Sequence, residues 1–226
     1  MRPSIIAHRG ASAYAAENTL EAAIKAFELG ADAVEVDVRL SRDGVLVAFH
    51  DEGLERLAGL KARVRDLSYS ELASIKLRCG GRVARLEEVL RLAEGRGWLV
   101  VDLKEPGLEE AVVEALRGFK GEAMVSSFIH PSLLKVKELA PQLKTGAIYT
   151  CLPVKTVQLA LDAGADAIFP RRDLTLAEVV DEAHAHGLKV YPWVVDDASE
   201  VRRLVELGVD GVVTNRPDVA RCALDA

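Results

Sequence analysis

Short apolar runs and amphipathic helical stretches alternate along this chain. Eight such runs can be distinguished, and most of them are followed by a segment with helical periodicity. Eight strand–helix units in one chain of this size predict an α/β fold, a closed (β/α)₈ TIM barrel that residues 1–226 form as a single domain. The runs centre on Ile5-Ile6, Val34-Val36, Val100-Val101, Met124-Val125, Gly146-Ile148, Ala167-Phe169, Val190-Tyr191 and Val212-Val213.

One junction between a helix and a strand occurs three times. In each copy a helix tail reaches a glycine suited to the left-handed position after a helix, and an apolar run follows. Repetition of the junction supports a repeated βα architecture. The three copies are residues 28–34, 162–168 and 206–212.

Several helix starts follow from residue spacing. A Ser, Thr or Asn followed three residues later by Glu has the spacing of a capping box, and proline suits the first helical position. The positions are Asn18 with Glu21, Ser68 with Glu71, Thr175 with Glu178, and Pro217.

The second βα unit contains an insertion. A turn at Asp43-Gly44 leads into another apolar run, residues 45–49, which ends at His50-Asp51. Residues from about 52 to 83 are polar, rich in arginine and only partly periodic. We expect them to form a small helical subdomain over one mouth of the barrel.

Composition limits the class of protein. The chain has 226 residues, is 50% hydrophobic and carries a net charge of −6, which argues against nucleic acid as a general partner. It has no apolar run of about twenty residues and no recognisable secretory signal, so we expect no stable membrane insertion. Its three cysteines form no CxxC pair, which favours a reducing, cytoplasmic location. These features are compatible with any oligomeric state.

Two carboxylates lie two residues apart in the second apolar run. Side chains at i and i+2 of a strand share a face, so Glu35 and Asp37 project together from a segment packed in hydrocarbon. At the end of the third run, Asp102 and Lys104 are likewise two residues apart and share a face. Three carboxylates suit a hard divalent cation, Mg²⁺ or Ca²⁺, better than Zn²⁺, which favours imidazole and thiolate.

Basic and imidazole side chains also occupy strand ends, where barrel enzymes place their catalytic groups. Arg9 and Lys104 add positive charge beside the predicted metal, an environment suited to phosphate. His8 and His50 can exchange protons near neutral pH. Residue chemistry alone therefore indicates metal-assisted cleavage of a phosphate ester.

Other residues have structural interpretations. Arg9 could instead cap a neighbouring helix or pair with Glu17, and Phe128 and Trp193 could serve in barrel packing. His184 and His186 are expected to be exposed near a helix C-terminus. A loop after the fourth strand is predicted to hold His130.

Taken together, these motifs resemble the glycerophosphodiester phosphodiesterases of the phosphatidylinositol-phospholipase-C-like superfamily. The resemblance extends over nearly the whole chain and depends on several separate motifs in the same order. They are Ala7-His8-Arg9-Gly10, Glu17-Asn18-Thr19, Glu35-Val36-Asp37-Val38, His50-Asp51, Asp102-Leu103-Lys104, Ser126-Ser127-Phe128, Tyr191-Pro192-Trp193 and residues 208–217.

The resemblance implies hydrolysis of glycerophosphodiesters to sn-glycerol 3-phosphate and an alcohol, with Mg²⁺, Ca²⁺ or Mn²⁺ as cofactor and a small-molecule substrate as partner. It also implies a role for each candidate residue. The catalytic acid/base pair would be His8 and His50, the metal ligands Glu35, Asp37 and Asp102, the phosphate-site residues Arg9, Glu17 and Lys104, and the lining of the glycerol pocket Phe128 and Trp193.

The chain departs from the family pattern at two positions. The family usually has Glu where this chain has Asp102, which changes the reach of the third acid, and often has Pro where this chain has Ala16.

Three alternatives remain open at this point. A Schiff-base aldolase would use Lys104 as its nucleophile. A second is a non-catalytic phosphate-binding barrel. A third is a lipid-directed phosphodiesterase, acting on lysophospholipids or phosphoinositides, for which Leu54, Leu57 and Leu60 would have to form an apolar rim.

Overall fold

Ten strands and ten α-helices are found in the computed structural model, which describes residues 2–225. Apart from the insertion, strands and helices alternate along the chain. The strands are β1 (Ser4–Ala7), β2 (Ala33–Leu40), β3 (Leu46–Ala48), β4 (Ala84–Arg85), β5 (Trp98–Leu103), β6 (Ala123–Ser127), β7 (Lys144–Tyr149), β8 (Ala167–Pro170), β9 (Lys189–Val190) and β10 (Gly211–Thr214).

Apart from α2 and α3 of the insertion, the helices follow the strands and cover the outside of the sheet. None of those in residues 2–225 has the length and apolar character needed to cross a membrane. They are α1 (Leu20–Glu28), α2 (Glu55–Ala58), α3 (Tyr69–Ser74), α4 (Leu86–Ala93), α5 (Glu109–Arg117), α6 (His130–Leu139), α7 (Gln158–Asp162), α8 (Ala177–Ala185), α9 (Ala198–Glu206) and α10 (Pro217–Asp225).

Eight parallel strands form the barrel, in the order β10-β1-β2-β5-β6-β7-β8-β9. Backbone hydrogen bonds also join the two ends of this order. The Asp210 N–H donates to the Val190 carbonyl at 3.0 Å, and the Val213 N–H donates to the Pro192 carbonyl at 2.9 Å. The predicted (β/α)₈ barrel is therefore confirmed, and each predicted apolar run overlaps one of its strands.

Alternation along β2 separates two apolar layers. Val34 and Val36 belong to the large core between the strands and the helices. Ala33 belongs to a smaller cluster inside the barrel. Because side chains alternate along a strand, Glu35 and Asp37 share the inner side with Ala33, as the spacing predicted.

The repeated junction has a structural role at the N-terminal end of the barrel. Its glycines adopt positive φ, as expected after a helix, and its aspartates each accept a backbone N–H from the neighbouring strand. These hydrogen bonds tie adjacent strands together at the end away from the predicted site. The pairs are Asp32 with Ile5 (2.8 Å), Asp166 with Thr145 (2.9 Å) and Asp210 with Val190 (2.9 Å).

Two of the predicted helix starts are confirmed. Ser68 and Glu71 form a reciprocal capping box at the start of α3. Pro217 is the first residue of α10.

The other two helix starts are wrong. Thr19 caps α1, and Asn18 instead directs its side chain to a buried carboxylate. Helix α8 begins at Ala177, while the Thr175 hydroxyl donates to the Arg171 carbonyl at 3.2 Å. In both cases a tertiary or loop contact competes with the cap for the polar side chain.

Residues 52–83 contain α2, a short 3-10 helix (Val64–Asp66) and α3, and the β3–β4 pair flanks them. They share a separate apolar cluster with β3, in which Leu54 is fully buried and Leu57 is 8% exposed. Leu60 is 44% exposed. Of the three leucines considered for an apolar rim, two are therefore core residues.

Candidate active site

A cavity of about 170 Å³ opens at the C-terminal ends of the barrel strands. Its wall combines charged side chains with an apolar side. It is lined by His8, Arg9, Glu35, His50, Asp102, Lys104, Ser126, Phe128, Ile148, Phe169, Trp193 and Val213.

Three buried carboxylates meet beside this cavity, of which Glu35 and Asp102 line it. Glu35, Asp37 and Asp102 each offer an oxygen atom, and these atoms all lie within 4.8 Å of one another. The Asn18 side-chain amide binds both the side chain and the backbone of Asp37. Its Nδ2 donates to Asp37 Oδ2 at 2.7 Å, and its Oδ1 accepts the Asp37 N–H at 3.0 Å. Asn18 therefore orients the Asp37 carboxylate.

Two cationic side chains contact the acids. Arg9 Nε lies 3.0 Å from Asp37 Oδ2, and the Arg9 backbone N–H donates to Glu35 Oε2 at 2.8 Å. Lys104 Nζ lies 2.8 Å from Asp37 Oδ1 and also contacts Asp102. Arg9 further donates to Glu17 at 2.9 Å, so the ion pair suggested by the sequence is present at the same site.

Burial and charge have opposite effects on the three acids. Burial alone would raise the pKa of Asp37, but Lys104 and Arg9 outweigh it and lower this pKa to about 2. Burial raises the pKa of Asp102 to about 7 despite Lys104. Burial and the two neighbouring aspartates raise the pKa of Glu35 well above its usual range. Two cations are thus not enough to keep all three acids ionised.

The acid cluster fits a divalent cation. Asp102 Oδ1 is buried and has no hydrogen-bond partner among residues 2–225. An oxygen atom in that position costs free energy unless a cation or a donor meets it. Three carboxylate oxygens are the donor set that a hard divalent cation prefers.

His8 follows β1 and lies at the cavity wall. Its Nδ1 is 2.8 Å from Asn215 Oδ1. Burial, assisted by the neighbouring Arg9, lowers the pKa of His8 to about 4. The imidazole is therefore neutral at pH 7 and able to accept a proton.

His50 approaches the same cavity from the extension of β3. The Phe49 N–H donates to the Asp37 carbonyl at 2.9 Å, which joins this segment to β2. His50 Nδ1 lies 2.6 Å from Asp51 Oδ1, so its other nitrogen is left for the cavity.

Arg56 of α2 connects the insertion to the site. It donates to Asp51 Oδ2 at 2.6 Å and to both oxygens of Glu17 at 2.6 and 2.8 Å. The partners of His50 and of Arg9 are thereby held by one guanidinium group.

Phe128 and Trp193 form the apolar wall. Their rings pack edge to face with centroids 5.5 Å apart. Trp193 Nε1 donates to the Phe169 carbonyl at 2.8 Å, while Phe128 is 45% exposed at the mouth. Both residues therefore pack together and also line the cavity.

The remaining histidines lie elsewhere. The prediction that His130 lies in a loop is wrong, since it is the first residue of α6 and its Nε2 is 2.9 Å from the Ile148 carbonyl. His184 and His186 are exposed at the end of α8, as predicted.

Sequence reasoning missed several polar residues around the cavity. Asn18, Asp51 and Asn215 occur inside the quoted motifs, next to Glu17, His50 and Thr214, but none of them was assigned a role at the site. Arg56 and Asp196 carry no local signal, because only the folded chain brings them to the site.

Comparison with known proteins identifies the family. Residues 8–219 match the model of the glycerophosphoryl diester phosphodiesterase family. A glycerophosphodiester phosphodiesterase from Caldanaerobacter subterraneus subsp. tengcongensis is 36% identical over 96% of each chain. Another, from Bacillus altitudinis, is 33% identical over 96% of each chain. The chain belongs to the glycerophosphoryl diester phosphodiesterase family, as its motifs implied.

Solved structures agree with this assignment. A phosphodiesterase from Oleispira antarctica, solved in complex with the product sn-glycerol-3-phosphate, is similar with a TM-score of 0.92 and 28% identity, over 100% of this chain and 98% of that one. A glycerophosphodiester phosphodiesterase from Thermotoga maritima has a TM-score of 0.86 and 30% identity over 97% of each chain. These similarities confirm the predicted fold class over the whole chain.

Proposed function

We propose that this chain hydrolyses glycerophosphodiesters to sn-glycerol 3-phosphate and an alcohol. The observation that carries the proposal is the meeting of three buried acids, two cations and two histidines around one cavity. The family match and the product-bound relative support the substrate class.

Glu35, Asp37 and Asp102 would hold the divalent cation, Mg²⁺ or Ca²⁺, with Mn²⁺ as a further candidate. Such a cation, when bound, polarises phosphoryl oxygens and neutralises their charge. With all three acids ionised around it, the cation together with Arg9 and Lys104 would leave the site with a net positive charge. A phosphodiester anion then enters a site of opposite charge.

Arg9 and Lys104 would bind the phosphate oxygens. Arg9 is held between Asp37 and Glu17, which directs its guanidinium group and limits its rotamers. Glu17 thus acts on the phosphate through Arg9. Phe128 and Trp193 would contact the carbon skeleton of the glycerol group.

His8 and His50 would transfer the protons. Neutral His8 accepts the proton of the oxygen that attacks phosphorus, and His50 donates a proton to the alcohol oxygen as its bond to phosphorus breaks. The attacking oxygen belongs either to water or to the neighbouring glycerol hydroxyl, in which case water opens a cyclic phosphate afterwards.

The Schiff-base alternative conflicts with the surroundings of Lys104. Burial favours the neutral amine, but the carboxylates of Asp102 and Asp37 outweigh burial and raise the pKa of Lys104 above its ordinary value. A Schiff-base lysine needs the opposite shift.

A cytoplasmic location is also part of the proposal, supported by three exposed free thiols, which persist in a reducing compartment.

The test is a coupled assay for glycerol 3-phosphate with choline, ethanolamine, glycerol and inositol diesters. Each diester is assayed with Mg²⁺, Ca²⁺ or Mn²⁺ and in excess chelator. We expect metal-dependent release from at least one diester. Binding of all four without release would favour the non-catalytic barrel. A parallel choline assay with lysophosphatidylcholine tests the lipid-directed activity, which would be favoured by choline release there and no glycerol 3-phosphate from any of the four diesters.

A further inference from the structure

A chain of hydrogen bonds leads from His8 away from the cavity. His8 Nδ1 lies 2.8 Å from Asn215 Oδ1, and Asn215 Nδ2 donates to Asp196 Oδ2 at 2.7 Å. Asn215 follows β10, and Asp196 lies between β9 and α9. Neither residue lines the cavity.

Asp196 determines which way the Asn215 amide faces. Its carboxylate accepts three donors: Asn215 Nδ2, the Asn215 backbone N–H at 2.7 Å and the Thr214 hydroxyl at 3.0 Å. A carboxylate has no proton to donate, so turning the amide over would set two acceptors against each other. The Ser12 hydroxyl lies 2.7 Å from Asn215 Oδ1 and 2.8 Å from the His8 carbonyl oxygen. It has one proton for these two acceptors, so the orientation of the amide depends on Asp196.

The amide orientation in turn determines the proton position on His8. An amide oxygen only accepts, so the nitrogen facing it, Nδ1, must carry the hydrogen. The neutral ring then has its lone pair on Nε2. This is the nitrogen that a proton acceptor in the cavity requires.

We infer that Asp196 is a positioning residue that sets the tautomer of His8 through the side-chain amide of Asn215. The catalytic consequence depends on the function proposed above, whereas the tautomer itself does not. The Asp196 carboxylate, two hydrogen bonds away from the His8 ring, thus controls which ring nitrogen can accept a proton.

The test replaces Asp196 by Asn. An amide at this position can donate to Asn215 Oδ1, which frees the Asn215 amide to turn its NH₂ group towards His8 and moves the ring hydrogen to Nε2. The two tautomers have different ¹⁵N shifts, so histidine-labelled protein with Mg²⁺ at pH 7 reports them directly. The His8 signal is assigned by its loss in His8→Gln.

We expect the Nδ1–H tautomer in the unmodified chain and the Nε2–H tautomer in Asp196→Asn. The kcat for glycerol 3-phosphate release should fall at least about tenfold in that variant, with KM changed by less than about threefold, as for loss of a proton acceptor. Asp162→Asn is the matched control, since Asp162 is exposed and pairs with Gln158. It should leave the tautomer and kcat unchanged.

Two results would overturn the inference. One is an Nε2–H tautomer in the unmodified chain, which needs no variant and is decisive even if Asp196→Asn does not fold. The other is an unchanged tautomer in folded Asp196→Asn, whatever its kcat. An inactive wild-type chain with the predicted tautomer switch would count against the proposed function and in favour of Asp196 as the residue that sets the ring.

Discussion

Asp37 and Asp102 are register partners across the parallel strands β2 and β5. Residues paired in this way direct their side chains to the same face, so the carboxyl groups meet although 65 positions separate them in sequence. Glu35, two residues before Asp37, joins them on the inner side of the barrel. Strand register therefore builds the acid cluster without any loop.

The first prediction concerns the metal. Replacing Asp102 by Asn should lower the affinity for Mg²⁺ or Mn²⁺ at least about tenfold, because even residues behind a ligand commonly have an effect of this size. Isothermal titration measures the affinity. Asp173→Asn, at an exposed carboxylate paired with Arg171, should bind metal normally. Equal affinities in both variants would remove Asp102 from the ligand set.

The second prediction concerns the two histidines. His8→Ala and His50→Ala should each reduce kcat at least about a hundredfold, the usual effect of losing a general acid or base, while circular dichroism shows an intact fold. The control is His186→Ala, an exposed residue at the end of α8. Near-normal turnover in either cavity variant would exclude that histidine from proton transfer.

The third prediction concerns pH and stability. The folded-state pKa of His8, about 4, is below the unfolded value of 6.5, so stability from this group is present above pH 6.5 and is lost as pH falls towards 4. Over that interval it contributes a slope of up to about 1.4 kcal/mol per pH unit. His8→Gln should lack this slope.

Urea unfolding at pH 7 and pH 5, in metal-free buffer, compares the wild type with His8→Gln. Between pH 7 and pH 5 the free energy of unfolding should decrease more for the wild type than for His8→Gln. Identical decreases would mean that His8 has the same pKa in both states.

The fourth prediction concerns the insertion. Arg56→Met leaves the carboxylates of Glu17 and Asp51 without their shared partner, so both Arg9 and His50 lose orientation. We expect kcat to fall about tenfold or more, since misplacement of reacting groups has large kinetic effects. Arg63→Met is the matched control in the same insertion, because Arg63 pairs with Asp66 on the surface. Equal activity of the two variants would contradict a role for Arg56.

Much of this site could be predicted from sequence because strand periodicity determines it. Once β2 and β5 are recognised as buried strands, their alternation places Glu35, Asp37 and Asp102 on one side. Barrel topology then brings the C-terminal ends of all eight strands to one mouth, which accounts for His8 and Lys104.

Asn18 shows where local patterns are insufficient. Its spacing to Glu21 is that of a helix cap, yet its φ is 57° and its amide binds Asp37, while Thr19 caps the helix. Both partners are chemically suitable for an asparagine side chain. The choice between them depends on the barrel, which the local spacing does not contain.

Arg56 shows a second limit. It reaches Glu17 across 39 residues, from an insertion whose helices are too short for a clear periodic pattern. Such contacts depend on how the insertion sits on the barrel. Nothing in the local sequence distinguishes Arg56 from Arg63 or Arg65.

The most direct test of the central claim is anomalous diffraction from crystals grown with Mn²⁺. We predict one peak among Glu35, Asp37 and Asp102, with oxygen atoms of all three at about 2.0–2.6 Å, the range for hard cations. A peak elsewhere, or no peak while Lys104 stays between the two aspartates, would contradict the account.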